Sequence, residues 1–308
     1  MKPIRPMKGV LVTPENRGMI KFPQWASFKM DGIRGIVTDG VCYSTSGKAL
    51  PSKHLQELAS RMPDGIDGEW VYGDPTTPDA YSLTQSAVMS IDWPARLSKD
   101  KLRFYAFEIA ASGHPFSFSH GMAIEQTNPI DQPWIKILDQ YVIESLVDMD
   151  HYYALACDSG YEGLVLRRPG FCYKQGRATE RESTFWKLKP FGSQIEEAEI
   201  LNWYPLMTNL NEASRNAFGL TERASTVSNK VETSLLGGFL VKDLKTGAVF
   251  RIGGGKGMTE QLRSDLFKKG DDLKGLVVRY TSMNYGVKDA PRQPQFRGFR
   301  DKIDLTEY

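Results

Sequence analysis

Ala26-Ser27-Phe28-Lys29-Met30-Asp31-Gly32-Ile33-Arg34-Gly35 sets a primary amine between two apolar, strand-like runs, just ahead of a glycine turn and five residues before an arginine. A lysine so placed is either a hairpin corner or a nucleophile, and on these residues alone the two readings stand about even. Working outward, Ala26–Phe28 and Ile33–Thr38 read as strands, and Asp39-Gly40 is a hairpin signal leading into Val41–Tyr43. Pro51-Ser52 opens a helix over His54–Met62, with Ser52 as its cap. Ile66–Val71 and Leu102–Ile109 read as strands around a helical Asp79–Ile91. A helix over Ile143–Ser159 stops at Gly160, and Leu164–Arg168 and Thr184–Lys189 are again strand-like. The pattern predicts a mixed α/β domain over residues 1–190.

Beyond Pro190 the texture changes. Ala198–Trp203, Gly238–Asp243, Ala248–Ile252, Leu276–Tyr280 and Gln295–Arg300 are short strands separated by turn residues. One helix, Thr259–Lys269, is capped by Thr259 and stopped by Gly270. Five strands and one helix predict a small β-barrel of the oligonucleotide-binding kind over residues 191–308. Met207–Leu235, rich in Asn, Ser, Thr and Glu, reads as a solvated loop rather than a segment ordered by a partner.

The 308 residues exceed what one core usually serves, so two domains are expected. Lys+Arg of 39 against Asp+Glu of 37 gives only +2, so any polyanion site must be a local stripe rather than a global field. Cys42, Cys157 and Cys172 are too few and too dispersed for a zinc site or a disulfide framework, which points to a reducing, cytoplasmic compartment. Residues 1–18 hold no signal-peptide core, and no apolar run approaches a membrane span.

Four further constellations sit at strand ends after Lys29. Asp67-Gly68-Glu69-Trp70 and Glu162-Gly163-Leu164-Val165-Leu166-Arg167 each place a carboxylate at a strand start. In Phe104-Tyr105-Ala106-Phe107-Glu108 the period of two puts Tyr105 and Phe107 on one face and Phe104 on the other. In Thr184-Phe185-Trp186-Lys187-Leu188-Lys189 it aims both lysines to one side and Trp186 and Leu188 to the other. Singly, each is more often core or solvated strand face than machinery. Together they supply a nucleophilic amine, two carboxylates, an aromatic face for a purine and paired cations for a phosphate, which is the inventory of nucleotidyl transfer.

In order and approximate spacing the series resembles motifs I, III, IIIa, IV and V of the covalent nucleotidyltransferases: DNA ligases, RNA ligases and mRNA capping enzymes. Arg292-Gln293-Pro294-Gln295-Phe296-Arg297-Gly298-Phe299-Arg300 resembles the arginine-rich motif VI of ATP-dependent DNA ligases, and Gly237-Gly238-Phe239…Gly247-Ala248-Val249-Phe250 is similar to their barrel signature. The resemblance covers nearly the whole chain and is nearest to the small phage- and bacterial-type ligases. It implies an α/β (α+β) nucleotidyltransferase domain of antiparallel, ATP-grasp-like sheets with helices, followed by an all-β OB-fold domain. It further implies a monomer that seals 5′-phosphate/3′-hydroxyl nicks in duplex DNA, with ATP and Mg²⁺ (Mn²⁺ as substitute), in replication, repair or recombination. Lys29 would be adenylylated, AMP would pass to the 5′-phosphate, and the 3′-hydroxyl would displace it. Carried over by motif, Glu69 would hold the ribose and Glu162 the metal, with Glu69 beside it. Phe107 would stack on adenine next to Phe28, and Lys187 and Lys189 would meet the α-phosphate. Arg34 would touch nucleotide and nick, and Arg300 would orient pyrophosphate. Ser44, Lys48, Lys256 and Arg292 would contact DNA.

One departure stands out. Such ligases often carry Ser-Arg between motifs I and III, whereas here Ser44 is followed by Thr45. Lys48 would share the load as a point charge rather than a bidentate fork, so weaker reading of the 5′-phosphate is expected. Gly253-Gly254-Gly255-Lys256-Gly257 lacks the Walker spacing and reads as a tight connection. Among rivals, an NAD-dependent ligase is disfavoured by the 28 residues before Lys29. An RNA-sealing enzyme shares motifs I to V, a capping guanylyltransferase would prefer GTP, and a nick-binding module would have lost catalytic positions that are all filled here.

Overall fold

The computed structural model describes residues 2–130, 132–189, 195–255, 258–283 and 290–300. The chain divides into two compact units, Met1–Phe191 with Arg215–Leu220, and Gly192–Ser214 with Thr221–Tyr308.

The first unit begins with β1 (Met7–Lys8), β2 (Val10–Leu11), β3 (Gln24–Phe28), β4 (Ile33–Thr38) and β5 (Val41–Tyr43). Helix α1 (Lys53–Ala59), β6 (Ile66–Tyr72), α2 (Ala80–Met89), β7 (Leu102–Ile109) and α3 (Phe116–Thr127) follow. Then come β8 (Ile135–Ile137), β9 (Tyr141–Ile143), α4 (Leu146–Asp158), β10 (Leu164–Arg167), β11 (Gly176–Arg177) and β12 (Phe185–Leu188). They form two mixed five-stranded sheets, ordered β5-β4-β6-β7-β8 and β2-β12-β10-β3-β9, and a short parallel β1–β11 ladder.

One face of the first sheet packs on α1, α2 and α3 through Trp70, Phe104, Leu55, Leu102 and Ala123, with the Trp70 and Phe104 rings 4.8 Å apart. The second sheet packs on α4 through Trp186, Ile143, Met149 and Leu164. Caps behave as residue type dictates: the Ser52 hydroxyl accepts from the Leu55 amide and Ser145 from Asp148. Helix α3 is not legible from periodicity, because Ser117, Ser119, His120 and Gly121 are weak helix formers and no polar side chain caps its start.

The second unit holds β13 (Ile195–Asn209), β14 (Ala213–Arg215), β15 (Thr221–Arg223), β16 (Lys230–Asp243) and β17 (Val249–Gly253). Helix α5 (Glu260–Lys269), β18 (Val277–Met283) and β19 (Arg292–Phe299) complete it. Five strands close a barrel in the order β13-β16-β17-β19-β18, filled by Phe239, Val241, Ile252, Val278 and Tyr280, with Leu266 supplied by α5. Closure leaves the barrel's central ladder without a free edge.

The solvated loop expected over Met207–Leu235 is corrected here. The β13–β16 ladder runs on through Met207↔Glu232, Thr208↔Val231 and Asn209↔Lys230, and β14 pairs β15. A two-stranded ribbon with solvent on both faces has no apolar alternation to read. Its order comes from ladder bonds and from Asn211, whose buried side-chain amide donates to the carbonyls of Ala224 (3.0 Å) and Thr226 (2.9 Å). Among the described residues no helix is long and apolar enough to cross a membrane.

Candidate active site

Lys29 is the residue after β3, where the chain leaves one sheet for the other. Its backbone is fixed by two reciprocal bonds: the Lys29 amide donates to the Gly163 carbonyl (2.8 Å) and the Glu162 amide donates to the Lys29 carbonyl (3.1 Å). Gly163 permits this approach, because its φ is +145° and a Cβ there would lie 2.2 Å from the Leu188 carbonyl oxygen. Gly32 does the same on the other side, where a Cβ would lie 2.2 Å from the Trp70 carbonyl oxygen. The glycine after Lys29 is thus a packing requirement against β6.

The Lys29 ammonium is paired to one oxygen of Glu162 and the Lys189 ammonium to the other. Glu162 is almost fully buried, with side-chain exposure of 3%. Burial alone would raise its pKa, but Lys29 and Lys189 outweigh that and hold it below the usual carboxylate range. Lys187 follows the predicted alternation onto the same side as Lys189, while Trp186 and Leu188 turn into the core. Burial, with Lys29, Arg34 and Lys189 nearby, pushes the Lys187 amine down to about 8. Burial also pushes Glu69 up to about 7, against the pull of Lys29 and Arg34.

Lys29, Glu69 and Lys187 line a cavity of about 280 Å³ between the two sheets, near the lower limit of small-ligand sites, with Glu162 and Lys189 reached through Lys29 rather than on its wall. Phe28, Lys29, Arg34, Glu69, Phe107 and Lys187 all line it, so six of the sequence-predicted positions share one wall system. Register explains the meeting: Arg34 lies opposite Glu69 on β4–β6, and Glu69 opposite Tyr105 on β6–β7. Thr45 lines the cavity too, so the departure from the usual arginine falls on the site itself. His120 on α3 donates its ring N–H to the Phe107 carbonyl (2.6 Å), fixing the backbone of the aromatic wall.

The remaining expected residues lie elsewhere. Ser44 is in a turn, its hydroxyl bonded to the Lys48 carbonyl (3.0 Å), and Lys48 is exposed. Arg292 and Arg300 belong to the second unit, where Arg300 pairs with Glu197. Lys256 lies outside the described residues.

Several pocket residues escaped the sequence reading. A bulge between Asp67 and Gly68 in the β6–β7 pairing turns Glu108 to the pocket side along with Phe107; strict alternation would have placed it with Phe104 in the core. There the fully buried Glu108 forms a two-point ion pair with Arg167, whose guanidinium lies 4.4 Å from the Phe116 ring centroid. A charge closing the apolar run Leu164–Leu166 within β10 was the available signal for Arg167. Lys8, on the two-residue β1, and Gln140, in the connection before β9, line the cavity from segments that carry no periodicity.

Behind Arg34 lies a second buried cluster. Asp67, with no exposed surface, accepts from Arg34 Nε (2.8 Å) and Nη2 (2.5 Å), and Arg34 Nη1 donates to the Met7 carbonyl (2.6 Å). The Tyr173 hydroxyl donates to Asp67 (2.9 Å) and accepts from the Met7 amide (2.8 Å). Burial works against the Arg34 cation, but Asp67 and Tyr173 reverse the sign and its pKa lies above the ordinary value. Among the described residues no group of three or more His, Cys, Asp or Glu side chains forms a metal cage.

No protein-family model and no curated protein matches the sequence. Solved structures do match. A Chlorella virus DNA ligase-adenylate is 23% identical with a TM-score of 0.51, over 96% of this chain and 99% of that one. A Lig E DNA ligase, described as binding DNA with a minimal scaffold, is 20% identical with a TM-score of 0.65, over 95% of this chain and 99% of that one. Two sheets enclosing a lysine-bearing cavity, followed by a closed five-stranded barrel, give this chain the fold of the small DNA ligases.

Proposed function

We propose that this protein is an ATP-dependent DNA ligase that seals nicks through a lysyl-AMP intermediate on Lys29. The observation that carries the reading is Lys29, paired to Glu162 and through it to Lys189, on the wall of a cavity that also presents Phe107, Glu69 and Lys187. An aromatic wall suits a purine, Glu69 suits a ribose hydroxyl, and the lysines suit a phosphate. Lys29 attacks the α-phosphorus, the bond to pyrophosphate breaks, and a phosphoramidate joins Lys29 to AMP. The attacking amine must shed a proton first, and that proton passes on to solvent, because Glu162, held below the usual carboxylate range by Lys29 and Lys189, is too weak a base to keep it. Lys187 and Lys189 then balance charge growing on the phosphoryl oxygens. AMP passes to a 5′-phosphate at the nick, and the adjoining 3′-hydroxyl displaces it.

Mg²⁺ fits the donor set in the mode typical of that ion, one or two carboxylates completed by substrate phosphates. Glu162 and Glu69 would hold it, and it would supply charge neutralisation at the triphosphate. The likeness of the fold to solved DNA ligases supports DNA as the polymer substrate. The test is incubation with α-labelled ATP or GTP, followed by nicked DNA or nicked RNA duplex, using wild type and Lys29→Ala. Covalent label from ATP and sealing of nicked DNA are expected of the wild type, with both lost in the variant. Sealing by Lys29→Ala would overturn the mechanism, and preference for GTP or for RNA would overturn the substrate assignment.

A further inference from the structure

Arg34, on the cavity wall, spends most of its donors on the protein itself. A guanidinium has five N–H donors in a rigid fork. Nε and Nη2 are held by the two oxygens of Asp67, Nη1 by the Met7 carbonyl, and Nη2 also donates a long bond to the Tyr173 hydroxyl (3.5 Å). Such a fork does not rotate to find a ligand; it presents its remaining edge in one orientation. What fixes that orientation is the far side of Asp67.

There Tyr173 closes a ring of bonds. Its hydroxyl donates to the same Asp67 oxygen that receives Arg34 Nη2, and it accepts from the amide of Met7, the residue whose carbonyl takes Arg34 Nη1. Tyrosine, aspartate, arginine and one backbone residue thus hold one another from four elements: the loop before β11, β6, β4 and β1. Parallel pairing of β1 with β11 ties Met7 to Gly176, three residues beyond Tyr173. Neither Asp67 nor Tyr173 lines the cavity, whereas Arg34 does.

We infer that Tyr173 is a positioning residue for the nucleotide: through Asp67 it holds the Arg34 fork in the orientation that meets bound ATP. Without the hydroxyl, Asp67 loses a donor and the Met7 amide loses its acceptor, so the fork loses support from both partners at once. Burial and the neighbouring Asp67 hold the phenol well above its ordinary pKa, so it remains a donor across the working range. The inference deepens the reading of the site as an adenylylation centre and rests on it.

A double-mutant cycle on the full chain tests it. Wild type, Tyr173→Phe, Arg34→Ala and the double variant are compared for kcat/KM of covalent labelling from α-labelled ATP. Equilibrium titration of ATP binding on the same four proteins keeps the cycle readable where chemistry is too slow. Tyr173→Phe is expected to lower kcat/KM about tenfold, the scale of a lost hydrogen bond to a charged group. In the Arg34→Ala background the same change is expected to cost less than about twofold, because the residue it acts through is gone. An equal loss in both backgrounds, in labelling and in binding alike, would show a merely structural tyrosine and overturn the inference, as would Tyr173→Phe at the wild-type rate. A wild type that takes no label would instead overturn the proposed function, and the inference with it.

Discussion

Lys187 carries the most exposed consequence of this site's electrostatics. Its amine titrates near 8 because burial and three neighbouring cations disfavour the charged form. Between that value and its ordinary 10.5 the unfolded chain holds a proton that the folded chain has lost, so this group makes folding stability rise with pH across that window. The positive charge it would offer a phosphate in the proposed reaction moves the other way and fades as pH climbs past about 8. KM for ATP in the labelling reaction is therefore expected to rise above that pH. Lys187→Arg, which keeps its charge, is expected to flatten the rise; an unchanged inflection in the arginine variant would assign the titration to another group. Thr45 poses a different question at the same scale. It lines the cavity in a position where a bidentate fork would favour phosphate, so Thr45→Arg is expected to raise selectivity for 5′-phosphorylated over unphosphorylated nicks about tenfold. Competition binding with the two nicks measures it.

Strands and turns set where these residues stand, and the bend at Gly32 leaves no room for a side chain. A methyl there would drive into the Trp70 carbonyl and the Glu69 side chain. Gly32→Ala is accordingly expected to destabilise the first unit by about 1–3 kcal/mol, seen as a lower denaturant midpoint at unchanged slope. Strong local signals made much of this unit legible: Asp39-Gly40 marked the β4–β5 hairpin, Ser52 the α1 cap, and alternation the turning of Lys187 on β12 away from Trp186 and Leu188. The misses share a cause. β1, β8, β9 and β11 are two or three residues long, too short to show a period, and they bring in Met7, Lys8 and the segment after Tyr173. The bulge at Phe107 breaks the period where it matters, and the polar β13–β16 ribbon lacks one altogether. Order was visible in the sequence where burial is one-sided; where backbone pairing or a buried ion pair maintains it, the residues gave no pattern.

Each unit of the molecule carries its own core, one built on Trp70, Phe104 and Trp186 and the other on Phe239, Ile252 and Tyr280. Separate cores predict unfolding that is not two-state. Calorimetry is expected to resolve two transitions, and saturating ATP is expected to raise the one belonging to the unit with the cavity, since a ligand stabilises what binds it. A single transition, or equal shifts in both, would contradict that assignment. At this scale the backbone stitch between Lys29 and the Glu162–Gly163 pair acquires a wider meaning. On the proposed mechanism, a nucleotide attached to Lys29 would hang from a tether fixed where the chain passes from one sheet to the other, not from a swinging arm on a mobile domain of the kind that ferries acyl or biotinyl cargo. Its reach is one lysine side chain. On the proposed function, a broken strand would have to be carried to that nucleotide, and bringing two ends together would fall to whatever grips the duplex rather than to Lys29.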